Sequence, residues 1–91
     1  MNIYSETVDC IEDSTYPISR EHLLKMLQNV HEQKYRESDP NNEAWNRLGD
    51  EGMAELRTGY DNITRWIRTD FGSQVLSFLV RDAHQNLSQQ V

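Results

Sequence analysis

The chain has 91 residues, of which 36% are hydrophobic and 26% are charged, and its formal net charge is −6. This length permits one domain with a modest apolar core that needs neither a metal ion nor disulfide bonds. No segment approaches the roughly 18 uncharged apolar residues of a membrane-spanning helix, and the N-terminus lacks the pattern of a secretory signal, so we predict no membrane association.

The acidic residues are concentrated in the first part of the chain. Residues 1–55 hold twelve acidic and five basic residues, and no basic residue precedes Arg20. The resulting negative field repels a phosphate backbone, so we do not expect direct binding of nucleic acid. Cys10 is the single cysteine and cannot form an internal disulfide, which favours a cytoplasmic location.

The first 18 residues show only weak alternation of apolar side chains, around Ile3, Val8 and Ile11, with no sustained period. We therefore predict an irregular acidic arm over residues 1–18. A helical core is predicted over residues 19–91, and the arm and core together form a single domain.

The first predicted helix covers residues 20–36, because apolar residues recur there on one side at about 100° per residue. Ser19 is suited to cap its N-terminus, and Ile18 can pack on Leu23 as a hydrophobic staple. The segment 37–42, which contains proline, acidic residues and asparagines, predicts a break after this helix.

The second predicted helix covers residues 43–71 without interruption. On a helical projection its apolar residues and three glycines fall inside one arc of roughly 140°. These residues are Trp45, Leu48, Gly49, Gly52, Met53, Leu56, Gly59, Tyr60, Ile63, Trp66, Ile67 and Phe71. Glycine weakens a helix by roughly 1 kcal/mol relative to alanine, so three glycines on one face indicate a surface for close helix contact.

Two alternatives remain open for this segment. Gly49 can end a short helix, with Asp50 capping a second one. The glycine-lined face can also pack inside the chain instead of against a second copy. If the face forms a homodimer, the predicted self-association residues are Trp45, Gly49, Gly52, Gly59 and Trp66.

Gly72 and Ser73 predict a stop followed by a new helix cap. The apolar residues after them span about 200° of a helical projection, which is typical of a largely buried helix. A strand over residues 74–80 is allowed by propensity, but no partner strand is evident. The predicted fold class is therefore all-α, a three-helix bundle with a long central helix and an irregular acidic N-terminal arm.

No pattern in the sequence indicates catalysis or metal binding. His22, His31 and His84 have no carboxylate or thiol at a spacing that assembles a metal site. Cys10 lies among acidic residues, which disfavour its thiolate and make it a poor nucleophile. We predict that the protein is not an enzyme and has no metal ion and no cofactor.

Charge and size together favour a small acidic protein-binding module of the phage, plasmid or bacterial type. We expect it to inhibit or regulate a partner protein by covering a basic, nucleic-acid-handling surface. The predicted partner-binding residues are Glu6, Asp9, Glu12, Asp13, Glu37, Asp39, Glu43, Asp50, Glu51 and Glu55. Acidity that serves only solubility is the simpler alternative. A homodimeric structural or adaptor protein, assembled through the glycine-lined face, is the second functional class.

Overall fold

The computed structural model describes the backbone of residues 2–89 and the side chains of residues 2–85. In this part of the chain, helices are combined with a two-stranded antiparallel hairpin. In chain order the elements are α1 (Ile3–Glu12), α2 (Arg20–Gln28), a 3-10 helix (Val30–Glu32), α3 (Asn42–Asp50), β1 (Ala54–Thr58), β2 (Thr64–Arg68) and α4 (Asp70–Gln89). The prediction of an all-α three-helix bundle with a long central helix is therefore wrong.

The N-terminal segment forms helix α1 and is not an irregular arm. The Asn2 side chain caps it, because its Oδ1 accepts hydrogen bonds from the main-chain N–H groups of Tyr4, at 2.9 Å, and Ser5. Val8 and Ile11 are fully buried. Together with Tyr4 they follow the i, i+4, i+7 spacing of a helix face, a pattern that is easily overlooked in so short a segment.

Helix α2 is shorter than the predicted helix over residues 20–36. Ser19 caps it as predicted, with its Oγ accepting from the His22 main-chain N–H at 3.2 Å. After the 3-10 helix, residues 33–35 run alongside β2. The Trp66 N–H donates to the Gln33 carbonyl at 3.0 Å, and the Tyr35 N–H donates to the Thr64 carbonyl at 2.8 Å. Residues 33–35 therefore cover one edge of the hairpin.

The predicted helix over residues 43–71 ends after its first third. Helix α3 stops at Asp50, and Gly52 follows with a φ of +78°, the left-handed conformation that commonly ends a helix. The alternative with a stop at Gly49 places the end correctly to within one residue, but a strand follows instead of a second helix.

The hairpin reverses direction through three loop residues, Tyr60 to Asn62. The Gly59 N–H donates to the Ile63 carbonyl at 3.2 Å, and the Asn62 N–H donates to the Gly59 carbonyl at 3.0 Å. Asn62 has a φ of 62°, as the last residue of such a three-residue loop requires. This turn replaces the central part of the predicted helix.

The core contains buried residues from every helix and from both strands. At its centre the rings of Trp45 on α3 and Trp66 on β2 stack, with centroids 5.9 Å apart and an interplanar angle of 22°. A Cβ on Gly49 would lie 3.3 Å from the Trp66 ring, so the absence of a side chain at this position lets the ring approach α3. This stack fixes the hairpin against α3.

Helix α4 begins at Asp70, three residues before the predicted cap at Ser73. Thr69 caps it, because its Oγ1 accepts from the Gly72 N–H at 3.0 Å. The Arg68 guanidinium joins the same region to other elements, donating to the Leu27 carbonyl at 2.7 Å and to the Ser73 Oγ at 3.0 Å. The start of α4 is thereby connected to α2 and to the hairpin.

Replacing Gly52 with alanine tests the left-handed helix end directly. A Cβ at this position would meet nothing within 4 Å, so the expected loss of about 1 kcal/mol in unfolding free energy arises from the backbone conformation alone. Gly52→Asn should lose less, since asparagine tolerates this conformation better. Urea denaturation measures both, and equal stability of Gly52→Ala and the unsubstituted protein would contradict the assignment.

Candidate protein-binding surface

The ten carboxylates of the predicted partner-binding set fall into two groups. Four form ion pairs with arginines of the same chain: Asp9, Glu12, Glu51 and Glu55. The other six have no basic side chain within 4.0 Å among the described residues: Glu6, Asp13, Glu37, Asp39, Glu43 and Asp50. Only this second group keeps its charge free for an external cation.

A single cation, Arg20, pairs with two of the acidic side chains of α1. Its guanidinium contacts Asp9 at 2.9 Å and Glu12 at 3.0 Å, and it also contacts Asp82 of α4 at 2.8 Å. The same group lies 6.0 Å from the centre of the Phe78 ring. Arg20 therefore joins α1, α2 and α4, and the carboxylates that it binds stabilise the fold.

The electrostatics of Arg20 agree with this structural role. Burial by itself lowers the pKa of the guanidinium, but its hydrogen bonds with Asp9, Asp82 and Glu12 outweigh burial and raise the pKa above its usual value. The positive charge is therefore permanent, and it offsets carboxylates that would otherwise repel one another.

The second acidic region comprises Glu37, Asp39, Glu43 and Asp50, which we call the 37–50 acidic surface. Glu43 and Asp50 are exposed and lie seven residues apart, on the side of α3 opposite its buried residues. Because α3 is packed into the core through Trp45 and Leu48, these two carboxylates are held on a rigid support.

Hydrogen bonds order the loop that precedes α3. Asp39 accepts from the Asn41 N–H at 2.9 Å and from the Gln33 side-chain amide at 2.9 Å. The Asn42 side chain donates to the Arg36 carbonyl at 2.6 Å. The loop groove is also lined by Lys34 and Arg36, so the charge at this end of the surface is mixed. Along α3, Arg47 lies on the same side as Glu43 and Asp50, but its guanidinium is paired with Glu51 at 2.7 Å.

The five predicted self-association residues do not share one helix face. Trp45 and Gly49 lie on α3, Gly52 in the following loop, Gly59 at the end of β1 and Trp66 on β2. Both tryptophans are buried against each other inside the chain. The long helix that would have presented these residues as one glycine-lined face is absent.

Sequence reasoning missed an exposed apolar feature on the hairpin. Leu56 on β1 is 42% exposed, and Tyr60 at the tip of the loop is fully exposed. The predicted helix over residues 43–71 places both residues on its apolar face instead. The alternation of polar and apolar residues through "AELRT" and the "GYDN" turn were the signals that could have revealed the hairpin.

An ion pair supports the hairpin loop. Arg65 of β2 contacts Asp61 at 3.0 Å, and Asp61 also accepts from the Ile63 N–H at 3.1 Å. The hydrogen bond from Arg65, assisted by that from Ile63, lowers the pKa of Asp61. The carboxylate is therefore fully charged near neutral pH, where it holds the loop.

Other kinds of site find little support in the described part of the chain. No group of three or more histidine, cysteine or acidic side chains there could hold a metal ion, and Cys10 is free and exposed. A shallow open groove between α1 and α4 is lined by residues such as Tyr4, Phe78 and Arg81. None of the helices in residues 2–89 combines the length and apolar character that crossing a membrane requires.

Comparisons of the chain with protein-family models, with curated proteins and with solved structures gave no match.

Proposed function

We propose that this protein is a small acidic protein-binding module that inhibits or regulates its partner by covering a basic, nucleic-acid-handling surface. The observation that carries the proposal is the 37–50 acidic surface, where carboxylates without a cation partner lie on an ordered loop and a rigid helix. Glu43 and Asp50 are about 10 Å apart along the helix axis. They can therefore contact two separate cations of a partner.

The ion pairs within the chain reduce the number of carboxylates that are expected to bind a partner. Breaking the Arg20 pairs or the Arg47–Glu51 pair, at 2.7 Å, would remove interactions that stabilise the fold. A partner is therefore expected to bind the carboxylates that do not first have to be separated from an arginine of this chain. Unpaired charges also act over a longer range, which accelerates the encounter with an oppositely charged protein.

A cytoplasmic location is part of this proposal. Cys10 is exposed and has no disulfide partner, which suits a reducing compartment. A partner that handles nucleic acid in the same compartment would present the basic groove that the 37–50 acidic surface requires.

The proposal is tested by capture experiments with two double variants of equal charge. Glu43→Gln with Asp50→Asn removes two free carboxylates, whereas Glu51→Gln with Glu55→Gln removes two that are already paired. Immobilised protein is exposed to an extract of the native host, and the retained protein is identified and purified. We expect the first double variant to bind this partner about tenfold or more weakly, and the second to bind nearly as well as the unsubstituted protein.

Ionic strength and competition complete the test. Binding should weaken strongly between about 0.05 and 0.5 M salt, because the attraction between exposed charges is screened. The captured protein should also lose its nucleic-acid binding when this protein is added. Equal binding by the two double variants, binding insensitive to salt, or simultaneous binding of the nucleic acid would each contradict the proposal.

A further inference from the structure

The outer edge of β1 has unpaired main-chain groups. In the hairpin register, the hydrogen-bonded pairs include Met53 with Thr69 and Gly59 with Ile63, as their main-chain hydrogen bonds show. Because such pairs alternate along an antiparallel ladder, odd-numbered residues of β1 bond to β2 and even-numbered residues point outward. Within residues 2–89, Leu56 and Thr58 make no main-chain hydrogen bond beyond the hairpin.

The two edges of the hairpin differ in how far other parts of the chain cover them. Residues 33–35 cover the outer edge of β2, through the hydrogen bonds to Thr64 and Trp66. At the start of β1, α3 lies close to Ala54, whose carbonyl is 3.8 Å from the position of a Cβ on Gly49. The free part of the edge is therefore centred on Leu56. Unpaired strand edges of this kind can pair with another strand.

The side chains along this edge are self-complementary. Glu55 and Arg57 lie on one face of β1, where they form an ion pair at 2.9 Å, and Leu56 lies on the other face. If a second copy of β1 runs antiparallel with Leu56 opposite Leu56, then Glu55 of each copy lies opposite Arg57 of the other. Oppositely charged residues directly across an antiparallel pair are stabilising.

We propose that two copies of this chain associate through β1 in this register, to form one continuous sheet across a two-fold axis. The outward N–H and carbonyl of Leu56 form two reciprocal hydrogen bonds with those of the second copy. The neighbouring Glu55–Arg57 pairs are of the closer, non-hydrogen-bonded kind, which brings their side chains together. This inference is independent of the proposed function, because it uses a different surface.

The apolar face of β1 supports the same register. Leu56 is opposite Trp66 in the hairpin, and it is 42% exposed although Trp66 is buried. Contact between the two Leu56 side chains removes this exposed apolar surface from water and extends the row that begins at Trp66.

The dimer is expected to be weak. Two five-residue strands bury less surface than the roughly 1,200 Å² of a standard stable complex. We therefore expect a dissociation constant on the order of 100 μM at low salt. Sedimentation equilibrium over a concentration range from about 10 μM to 1 mM measures it directly.

Charge reversal tests the register itself. Glu55→Arg and Arg57→Glu each place like charges opposite one another in the dimer, and each should raise the dissociation constant about tenfold or more. An equimolar mixture of the two variants restores opposite charges at both positions and should associate about as well as the unsubstituted protein. Glu55→Arg is the stricter test of the two. It brings the net charge closer to zero, which by itself would favour association, so weaker association must come from the like charges in the dimer.

Glu6→Arg and Arg81→Glu are matched controls, since they make the same changes in charge at exposed positions on helices. They should leave the dissociation constant within about threefold of its original value. Circular dichroism checks that every variant is folded. A protein that stays monomeric at 1 mM, single variants that associate normally, or a mixture that fails to associate would each overturn the proposal. None of these three results would contradict the proposed binding of a partner to the 37–50 acidic surface.

Discussion

Replacing Gly72 with alanine is expected to lower the free energy of unfolding by about 2–4 kcal/mol. A Cβ at this position would clash with the Met53 carbonyl oxygen and would lie 2.9 Å from the Arg68 Cγ. The carbonyl belongs to the backbone just before β1 and accepts a hydrogen bond from the Thr69 N–H, so it cannot move without separating the hairpin from α4. Urea denaturation followed by far-ultraviolet circular dichroism measures the loss.

Gly49→Ala is the matched control, because it also adds one methyl group to a helical glycine. Here the Cβ would lie 3.3 Å from the Trp66 ring, which can shift by a few tenths of an ångström. The gain in helix propensity, about 1 kcal/mol, offsets part of the crowding, so the net change should be within about 1 kcal/mol of zero. Similar stabilities for the two variants would contradict the close approach of α4 to the hairpin.

The contrast between these glycines shows why the long helix was predicted wrongly. Gly49, Gly52 and Gly59 fall on one side of a helical projection, yet each serves a different purpose in the structure. Gly49 admits the Trp66 ring, Gly52 ends α3 and Gly59 closes the hairpin loop. The common rotational phase was a coincidence of spacing, which a projection cannot distinguish from a real helix face.

Local signals in the sequence were reliable where they depended on neighbouring residues. The Ser19 cap was predicted correctly, because capping is decided within a few positions. The predicted break over residues 37–42 falls in the loop before α3 except for Asn42, which is the first residue of that helix, and the preceding helix already ends at Gln28. The hairpin was missed since its apolar alternation is short, and only Ala54 and Trp66 are buried among its ten strand residues. The stack of Trp66 on Trp45, which fixes the hairpin against α3, is a tertiary contact that no local pattern reveals.

The candidate site could likewise be predicted only in part from the sequence. That the first half of the chain is acidic follows from composition alone, but which carboxylates remain free depends on long-range contacts. Asp82 lies 62 residues from Arg20 in sequence and binds the same guanidinium as Asp9 and Glu12. Only the three-dimensional structure separates these paired carboxylates from the exposed ones on α3.

Replacing Arg20 with methionine is expected to lower the free energy of unfolding by about 2 kcal/mol at neutral pH. Each of its three ion pairs is partly exposed and should contribute only about 0.2–1 kcal/mol, but their loss also leaves three carboxylates near one another without a cation. The repulsion between them adds to the loss. Methionine keeps an apolar side chain of similar length but loses the guanidinium near the Phe78 ring, so the change mainly reports on charge.

Two further substitutions separate charge from packing. Arg20→Lys should recover less than half of the loss, because one ammonium group cannot reach three carboxylates in the geometry of a guanidinium. Arg81→Met, on an exposed part of α4, should change stability by less than about 0.5 kcal/mol. If Arg20→Met resembles Arg81→Met at neutral pH, Arg20 does not hold α1, α2 and α4 together, and the carboxylates of α1 become available to a partner after all.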